Sequence, residues 1–270
     1  MKFMKLPNRR RIAVISNFSA LDLYKEIYED EPYLREGLSI HPKDVVIDIG
    51  GNIGLWSLFI LEQVPDIRLI TVEPVPQIFE ALQENLKNYQ PPKSSVTLLN
   101  IGLAETEKKA EFNFYPRVAS DSTATPFDMD QQVKYFLAMS RKGITRILPS
   151  GIKAWFIRQI LRWYYSPQKV ECQLKTLSQV IEELQLDHID FVKLDAENAE
   201  REVIAGIAEK DWPKIRQISM EVHTNIPGGK SLVDDLTKLL QSKGFSVAVD
   251  LHSRFSGVGV HMMYAQRLSK

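Results

Sequence analysis

The segment Asp48-Ile49-Gly50-Gly51-Asn52-Ile53-Gly54 follows the apolar run Val45-Val46-Ile47 and precedes an amphipathic stretch, Leu55 to Gln63. An order of apolar run, glycine turn and amphipathic run reads as strand, tight turn and helix. Glycines permit positive φ and leave no side chain between backbone and ligand, and a new helix N-terminus presents unpaired N–H groups. A second apolar run, Leu69 to Val72, ends in Glu73. That carboxylate stands roughly 20 residues past the last glycine, where it can bond ribose hydroxyls. Asp48 narrows the ligand further, because a carboxylate beside the turn repels a pyrophosphate but attracts an ammonium, a sulfonium or a ribose hydroxyl. S-adenosylmethionine carries all three and no phosphate, so the first third of the chain is expected to bind it.

At 270 residues the chain fits one α/β domain with an insertion, and length leaves two small domains open. Basic and acidic side chains balance at 34 each, with no long block of one sign, so no global field favours a nucleic acid. One cysteine, Cys172, excludes an internal disulfide and suits a reducing compartment, and a cytoplasmic protein is expected. The apolar stretch Ile12 to Ile15 is too short for a signal h-region, and charges interrupt every candidate for the roughly 20 apolar residues of a membrane span. Oligomeric state has no signature here.

Leu21, Tyr24, Ile27 and Tyr28 fall at helical spacing within residues 17 to 40, so residues 1–42 read as a helical cap whose more specific use is a substrate wall. Pro76 to Tyr89 has one apolar face and an early proline, which predicts a crossover helix. Val96 to Leu99 and Ala110 to Tyr115 read as strands. The second half alternates: helix Leu177 to Leu184, strand Ile189 to Leu194, helix Ala199 to Ala208, strand Gln217 to Val222, helix Leu232 to Leu240, then strands Phe245 to Val249 and Val258 to Tyr264. Such alternation implies a mostly parallel sheet covered on both faces, with ligands at the carboxyl ends of its strands. Between the halves lies an insertion, residues 126–168, with Tyr135, Phe136, Trp155, Phe156, Trp163, Tyr164 and Tyr165 among Lys134, Arg141, Lys142, Arg146, Lys153, Arg158 and Arg162. A helical lid over the substrate, a patch for an acidic or membrane partner, and a plain aromatic cap all fit that composition.

Asp195 ends the strand Phe191-Val192-Lys193-Leu194, and Glu221 and His223 share one face of another strand by period two. If the strands are neighbours, the three converge at the carboxyl edge, facing the methyl group of the cofactor. A carboxylate-oriented His223 could take a hydroxyl proton; alternatively Asp195, Glu221 and His223 could hold a divalent cation that acidifies the acceptor oxygen. A plainer alternative is a histidine capping a strand end and a glutamate paired with a basic residue.

These residues together resemble the FkbM-type S-adenosylmethionine-dependent methyltransferases over roughly residues 43 to 225. The resemblance rests on Val46 to Gly54, on Glu73-Pro74-Val75-Pro76 with Phe79, Leu82 and Asn85, and on Lys193 to Glu200. It implies a class I methyltransferase (Rossmann-like) seven-stranded sheet and methyl transfer to a hydroxyl of a small molecule such as a polyketide-like, peptide-like or sugar natural product. It also implies that Asp48, Gly50, Gly51, Asn52 and Gly54 hold the amino-acid end of the cofactor, Glu73 and Pro74 the ribose side, and the loop with Asn100 and Gly102 the adenine edge. The sequence departs from the family in Gly51, where alanine is usual, and in Asn198, where glycine is usual. The first reads as a mild change; the second bears on the shape of the Asp195 loop. Basic residues of the insertion could meet an acidic carrier protein bearing the substrate. The competing readings are a catalytically inactive scaffold that binds a protein or membrane through residues 126–168, and a nicotinamide-dependent enzyme. The latter lacks an evident tyrosine-lysine pair on a helix and sets Asp48 against phosphate. Nucleic acid methylation is disfavoured by the charge balance and by the lack of an Asn/Asp-Pro-Pro-Tyr/Phe run after the Asp195 strand.

Overall fold

A computed structural model describes residues 1–87, 89, 91, 93–124, 129–130, 133, 137, 150–224, 229–251 and 259–268. Seven strands form the central sheet: β3 (Val45–Ile49), β4 (Arg68–Val72), β5 (Ser95–Leu99), β9 (Phe191–Leu194), β10 (Gln217–His223), β11 (Phe245–Leu251) and β12 (Val260–Arg267). Their order is β11-β12-β10-β9-β3-β4-β5. The run from β10 to β5 is parallel, and β12 alone is reversed, lying antiparallel to both β10 and β11.

Period-two alternation sends neighbouring residues of one strand into opposite cores. Val46, Leu69 and Phe191 pack with helix α2 (Leu55–Gln63) and helix α3 (Pro76–Lys87) on one face. Ile47, Ile70 and Val192 pack with α5 (Leu177–Glu183), α6 (Glu200–Ala205) and α7 (Leu232–Ser242) on the other. All five residues of β3 are buried, as expected for a parallel strand covered on both faces. Thr176 starts α5 with a reciprocal capping box to Gln179.

The N-terminal region departs from the expected helical cap. Residues 2–14 form a hairpin of β1 (Lys2–Lys5) and β2 (Arg11–Val14), preceding helix α1 (Asn17–Lys25) and a π-helical turn, Glu26–Asp30. Helix stops there, where Glu31 is left-handed at φ 45 and precedes Pro32, whose ring disfavours a helical residue before it. Asn85 clamps the hairpin to the glycine turn, accepting from Ala13 N (2.6 Å) and donating to Ala13 O and Ile53 O (2.9 and 2.7 Å).

Ala110 to Tyr115 forms a strand, but outside the central sheet: β7 (Lys108–Phe114) joins β6 (Gly102–Leu103) and β8 (Gln168–Lys175) in a three-stranded side sheet. Of the insertion, helix α4 (Ser150–Tyr164) is described, while Lys134, Tyr135, Phe136, Arg141, Lys142 and Arg146 lie outside the described residues, as does Val258 of the last expected strand. Among the described residues no helix is long and apolar enough to cross a membrane.

Candidate active site

The glycine turn leaves β3 so tightly that both Gly50 N and Gly51 N donate to Val72 O at 3.0 Å. Gly50 has φ 75, and a Cβ there would lie 1.8 Å from the carbonyl oxygen of Asp195. The turn and the end of β9 therefore touch backbone to backbone. Gly54, at φ 85, caps α2. At Gly51 the obstacle is a side chain: a Cβ would lie 2.2 Å from Thr71 Cγ2. The reading of Gly51 as a mild replacement for alanine is thus corrected, since Thr71 fills the space an alanine methyl would need.

Asp48 is fully buried beneath this turn. Its Oδ2 accepts from Ser57 Oγ at 2.7 Å, Ser57 Oγ lies 2.8 Å from Thr71 Oγ1, and the Lys193 ammonium stands 3.2 Å from Oδ1. Lys193 also donates to Gly50 O (3.0 Å) and lies 3.5 Å from Asp195 Oδ2. Despite burial, Asp48 and Asp195 push the ammonium pKa above its usual value. The expectation that Asp48 itself meets a cofactor ammonium is corrected accordingly: its carboxylate faces inward and holds Lys193, which supports the turn from below.

Glu73 directly follows β4, next to the turn. Its Oε2 accepts from Asn52 N (3.1 Å) and its Oε1 from Val75 N (2.9 Å). Burial pushes its carboxyl up from 4.5 to about 7, although both N–H bonds oppose that rise. Asn100, just past β5, donates to the Glu73 and Pro74 carbonyls at 2.9 and 3.1 Å and so fixes the backbone that carries the carboxylate. Gly102 lets the chain pass Pro74 and Leu174, because a Cβ there would sit 2.5 Å from Leu174 Cδ2.

Beyond Asp195 the loop turns through two left-handed residues, Glu197 at φ 44 and Asn198 at φ 76. Asparagine tolerates that region better than most side chains, so the loop keeps a glycine-like turn at Asn198. It is pinned by Asn198 N donating to Glu200 Oε1 at 3.0 Å and by Thr123 Oγ1 donating to Glu197 O at 2.7 Å. The register of β9 and β10 aligns Met220 with Leu194, so Glu221 comes opposite Asp195.

Asp195, Glu221 and His223 do meet at this edge, within a larger cage than the sequence suggested. His223 Nδ1 is 2.8 Å from Glu200 Oε1, and Nε2 is 3.5 Å from Glu221 and 3.6 Å from Glu197. Burial opposes the imidazolium, but Glu200, Glu197 and Glu221 together raise the His223 pKa well above 6.5. Burial and neighbouring acids likewise raise Glu197 and Glu221 well above 4.5. On the far side of Asp195, the Tyr33 hydroxyl donates to Asp195 Oδ2 at 3.0 Å and stands 3.3 Å from Glu26 Oε1.

Glu26 and Tyr33 come from the first 42 residues, so that region places two side chains beside Asp195. Neither stood out in the sequence as a chemical group, and Glu197 and Glu200 lay in the run Lys193 to Glu200 without an assigned role. The reading of Asp195, Glu221 and His223 as cation ligands does not match the cage. Among the described residues the ligand atoms that lie within 4.8 Å of one another belong to Glu26, Asp195 and Glu221, and His223 spends Nδ1 on Glu200. Lys193 and Tyr33 already bring a cation and a donor to Asp195.

Residues 48–247 match the family model described as Methyltransferase FkbM domain. The chain belongs to the FkbM methyltransferase family. This FkbM-family chain is 31% identical over 268 residues to the 31-O-demethyl-FK506 methyltransferase FkbM of Streptomyces tacrolimicus, covering 98% of this chain and 96% of that protein. It is 32% identical over 268 residues to the AMB antimetabolite synthetase AmbE of Pseudomonas aeruginosa, where the match takes in 97% of this chain but 12% of the synthetase. In fold it is similar to the crystal structure of Methyltransferase FkbM from Methylobacillus flagellatus, with a TM-score of 0.52, 15% identity, and coverage of 94% of this chain and 56% of that one. The strand order and its single reversed strand are those of the class I methyltransferase sheet expected from the sequence.

Proposed function

We propose that this FkbM-family chain transfers the methyl group of S-adenosylmethionine to a hydroxyl oxygen of a small natural product. The observation that carries the reading is the contact between Gly50 and the Asp195 carbonyl, which sets the cofactor turn directly against the acid-imidazole cage. The residues fit the cofactor: two glycines whose Cβ atoms would collide with the Asp195 carbonyl and with Thr71, N–H groups at the start of α2, and the Glu73 carboxylate beside them. The turn Gly50 to Gly54 would hold the amino-acid end, Glu73 with Pro74 the ribose side, and the Asn100 and Gly102 segment would shape the adenine side. When bound, S-adenosylmethionine supplies an electrophilic methyl on a sulfonium that departs as a neutral thioether.

Glu221 is the group in this cage suited to accept the hydroxyl proton. Burial and Asp195 raise its pKa, which brings a carboxylate closer to the proton affinity a general base needs, whereas His223 has Nδ1 against Glu200 and Nε2 facing Glu221 and Glu197. His223, oriented by Glu200, sets the charge beside Glu221. Asp195, held by Tyr33 and Lys193, positions the acceptor.

Isothermal titration with S-adenosylmethionine and S-adenosylhomocysteine tests the reading, with micromolar binding of both expected. No binding by a folded sample sinks it. Turnover on hydroxylated acceptors is expected to survive EDTA, since Lys193 and Tyr33 serve Asp195 without a metal. Loss of activity in chelator, restored by a divalent ion, would return the cation to the mechanism. The match to one segment of a synthetase favours a carrier-tethered acceptor as a second form of substrate, tested by presenting one hydroxylated acyl group free and as a carrier thioester.

Glu73 gives this reading a pH signature. Its folded pKa, raised to about 7 from 4.5, contributes stability to the unliganded protein that is present below 4.5 and is lost as pH rises through about 7. Cofactor affinity, which needs the ionised carboxylate, is expected to rise over the same window. Glu73→Gln should flatten both slopes in thermal unfolding and titration, and weaken binding at pH 8 by about tenfold or more.

A further inference from the structure

We propose that the outer face of α4 docks onto an anionic lipid surface. Ile152, Phe156, Ile160 and Trp163 follow one another at steps of three and four along this helix, with Trp155 three residues after Ile152 flanking them, so they form one stripe, and each is between 45% and 57% exposed. Ala154, Ile157 and Leu161 lie on the opposite side, where Leu161 is buried. The helix is therefore apolar toward solvent as well as toward the body, a pattern that packing against the described part of its own domain does not explain. The patch extends beyond α4. Phe18, 64% exposed, lies with its ring 6.4 Å from Tyr164, and Leu21, 41% exposed, follows one turn later on α1.

Charge identifies the occupant. Within α4 there are three cations, Lys153, Arg158 and Arg162, and no acid. Arg117 adds a fourth cation over the Trp163 ring at 4.2 Å. Among the described residues the acids that border the patch are Asp130, paired with Arg158, Asp22 of α1, and Asp121, bonded to Tyr165. An apolar stripe of tryptophan, phenylalanine and isoleucine with basic margins is the arrangement of a helix lying in a membrane interface, with its rings at the headgroup boundary and its cations against anionic lipid. Shape points the same way. A single convex helix needs a complementary groove to bind a protein, but none to settle into lipid. Aromatic side chains bury roughly 150–250 Å² each, so side chains about half exposed offer several hundred Å². That is at or above the ~300–600 Å² of the largest patch on an ordinary monomer, yet short of the ~800 Å² per partner of a stable protein interface. Docking of this kind lies along the surface and spans nothing, and it stands independently of which acceptor is methylated.

The experiment is co-sedimentation with vesicles of phosphatidylcholine alone and of phosphatidylcholine mixed equally with phosphatidylglycerol, alongside tryptophan emission. Trp56 and Trp212 are buried, so a blue shift reports Trp155 and Trp163. Binding is expected on the anionic vesicles, at least about tenfold stronger than on the neutral ones, and weakened as salt rises from about 0.1 M to 1 M. Trp155→Ser with Phe156→Ser should lower it at least about tenfold, and Lys153→Glu with Arg162→Glu should abolish the preference for anionic lipid. Titration with S-adenosylhomocysteine confirms that each variant is folded. Failure to bind anionic vesicles, or equal binding by the substituted proteins, overturns the proposal. So does protection of Trp155 and Trp163 that arises only from self-association or only on adding a purified acidic carrier protein.

Discussion

Gly51→Ala is expected to weaken S-adenosylmethionine binding by about ten- to a hundredfold, and Gly51→Ala combined with Thr71→Ser to recover most of that loss. The added methyl would meet Thr71 Cγ2 at 2.2 Å, and Thr71 is fully buried in the central sheet, so it cannot swing away. Overpacking of this kind costs about 1–3 kcal/mol and is relieved by moving the turn that binds the cofactor. Serine at 71 deletes the offending methyl and keeps the hydroxyl that meets Ser57, the residue bonded to Asp48. Gly50→Ala is the control. Its Cβ would strike a backbone oxygen at 1.8 Å from a left-handed residue, and no side-chain change removes that oxygen. Titration and thermal unfolding of the three variants and of Thr71→Ser alone decide the matter. A double variant no better than Gly51→Ala would show that the steric pairing of 51 with 71 is not the reason for glycine here.

That pairing also shows where the sequence stopped being readable. The strand, turn and helix around Gly50 follow from local patterning, because φ and helix-end chemistry act within a few residues. The same holds for the alternation after Leu177, whose strands and helices appear within a few residues of the expected bounds. Whether Gly51 is mild depends on Thr71, twenty residues away on the adjacent strand, and only the β3–β4 register brings them together. Asp48 suffered from the same blindness. Its position beside the turn was legible, but its direction was set by Lys193, a buried cation on β9 that looked like one more polar residue in an apolar run. The hairpin was missed because Lys2 to Lys5 and Arg11 to Val14 are short and charged, and their pairing is stabilised by packing on α3 rather than by their own propensity. In the cage, Glu221 and His223 could be paired by period two within one strand. Glu200 could not, since acids near a helix start are favoured by the macrodipole whatever they touch.

Glu221→Gln is expected to lower turnover by about 100-fold or more while leaving cofactor affinity unchanged, and its comparison with His223→Ala separates two assignments of the base. If Glu221 takes the proton, turnover climbs as pH rises through its raised pKa, and Glu221→Gln removes that limb. His223→Ala then leaves a limb but moves it to higher pH, because the cation that favours ionised Glu221 is gone and the carboxyl is pushed further up. If instead His223 is the base, its removal abolishes the limb and Glu221→Gln lowers the pH at which it appears. Stability supplies an independent check. The His223 pKa is raised well above 6.5, so the ion pairs it makes contribute stability that is full below 6.5 and is lost as pH climbs through the shifted value. Glu197 and Glu221, raised above 4.5, lose their contribution in the same direction. Deleting the imidazole leaves Glu197, Glu200 and Glu221 facing one another without their shared cation, a loss of roughly 3–5 kcal/mol for a buried pair broken on one side. His223→Ala should therefore unfold more easily at neutral pH and regain ground on mild acidification, as the carboxyls take up the protons that replace the missing charge. Glu200→Gln reads out positioning alone: it keeps an acceptor for Nδ1 and removes a charge, so it should lower the His223 pKa by NMR titration and reduce kcat with little change in KM.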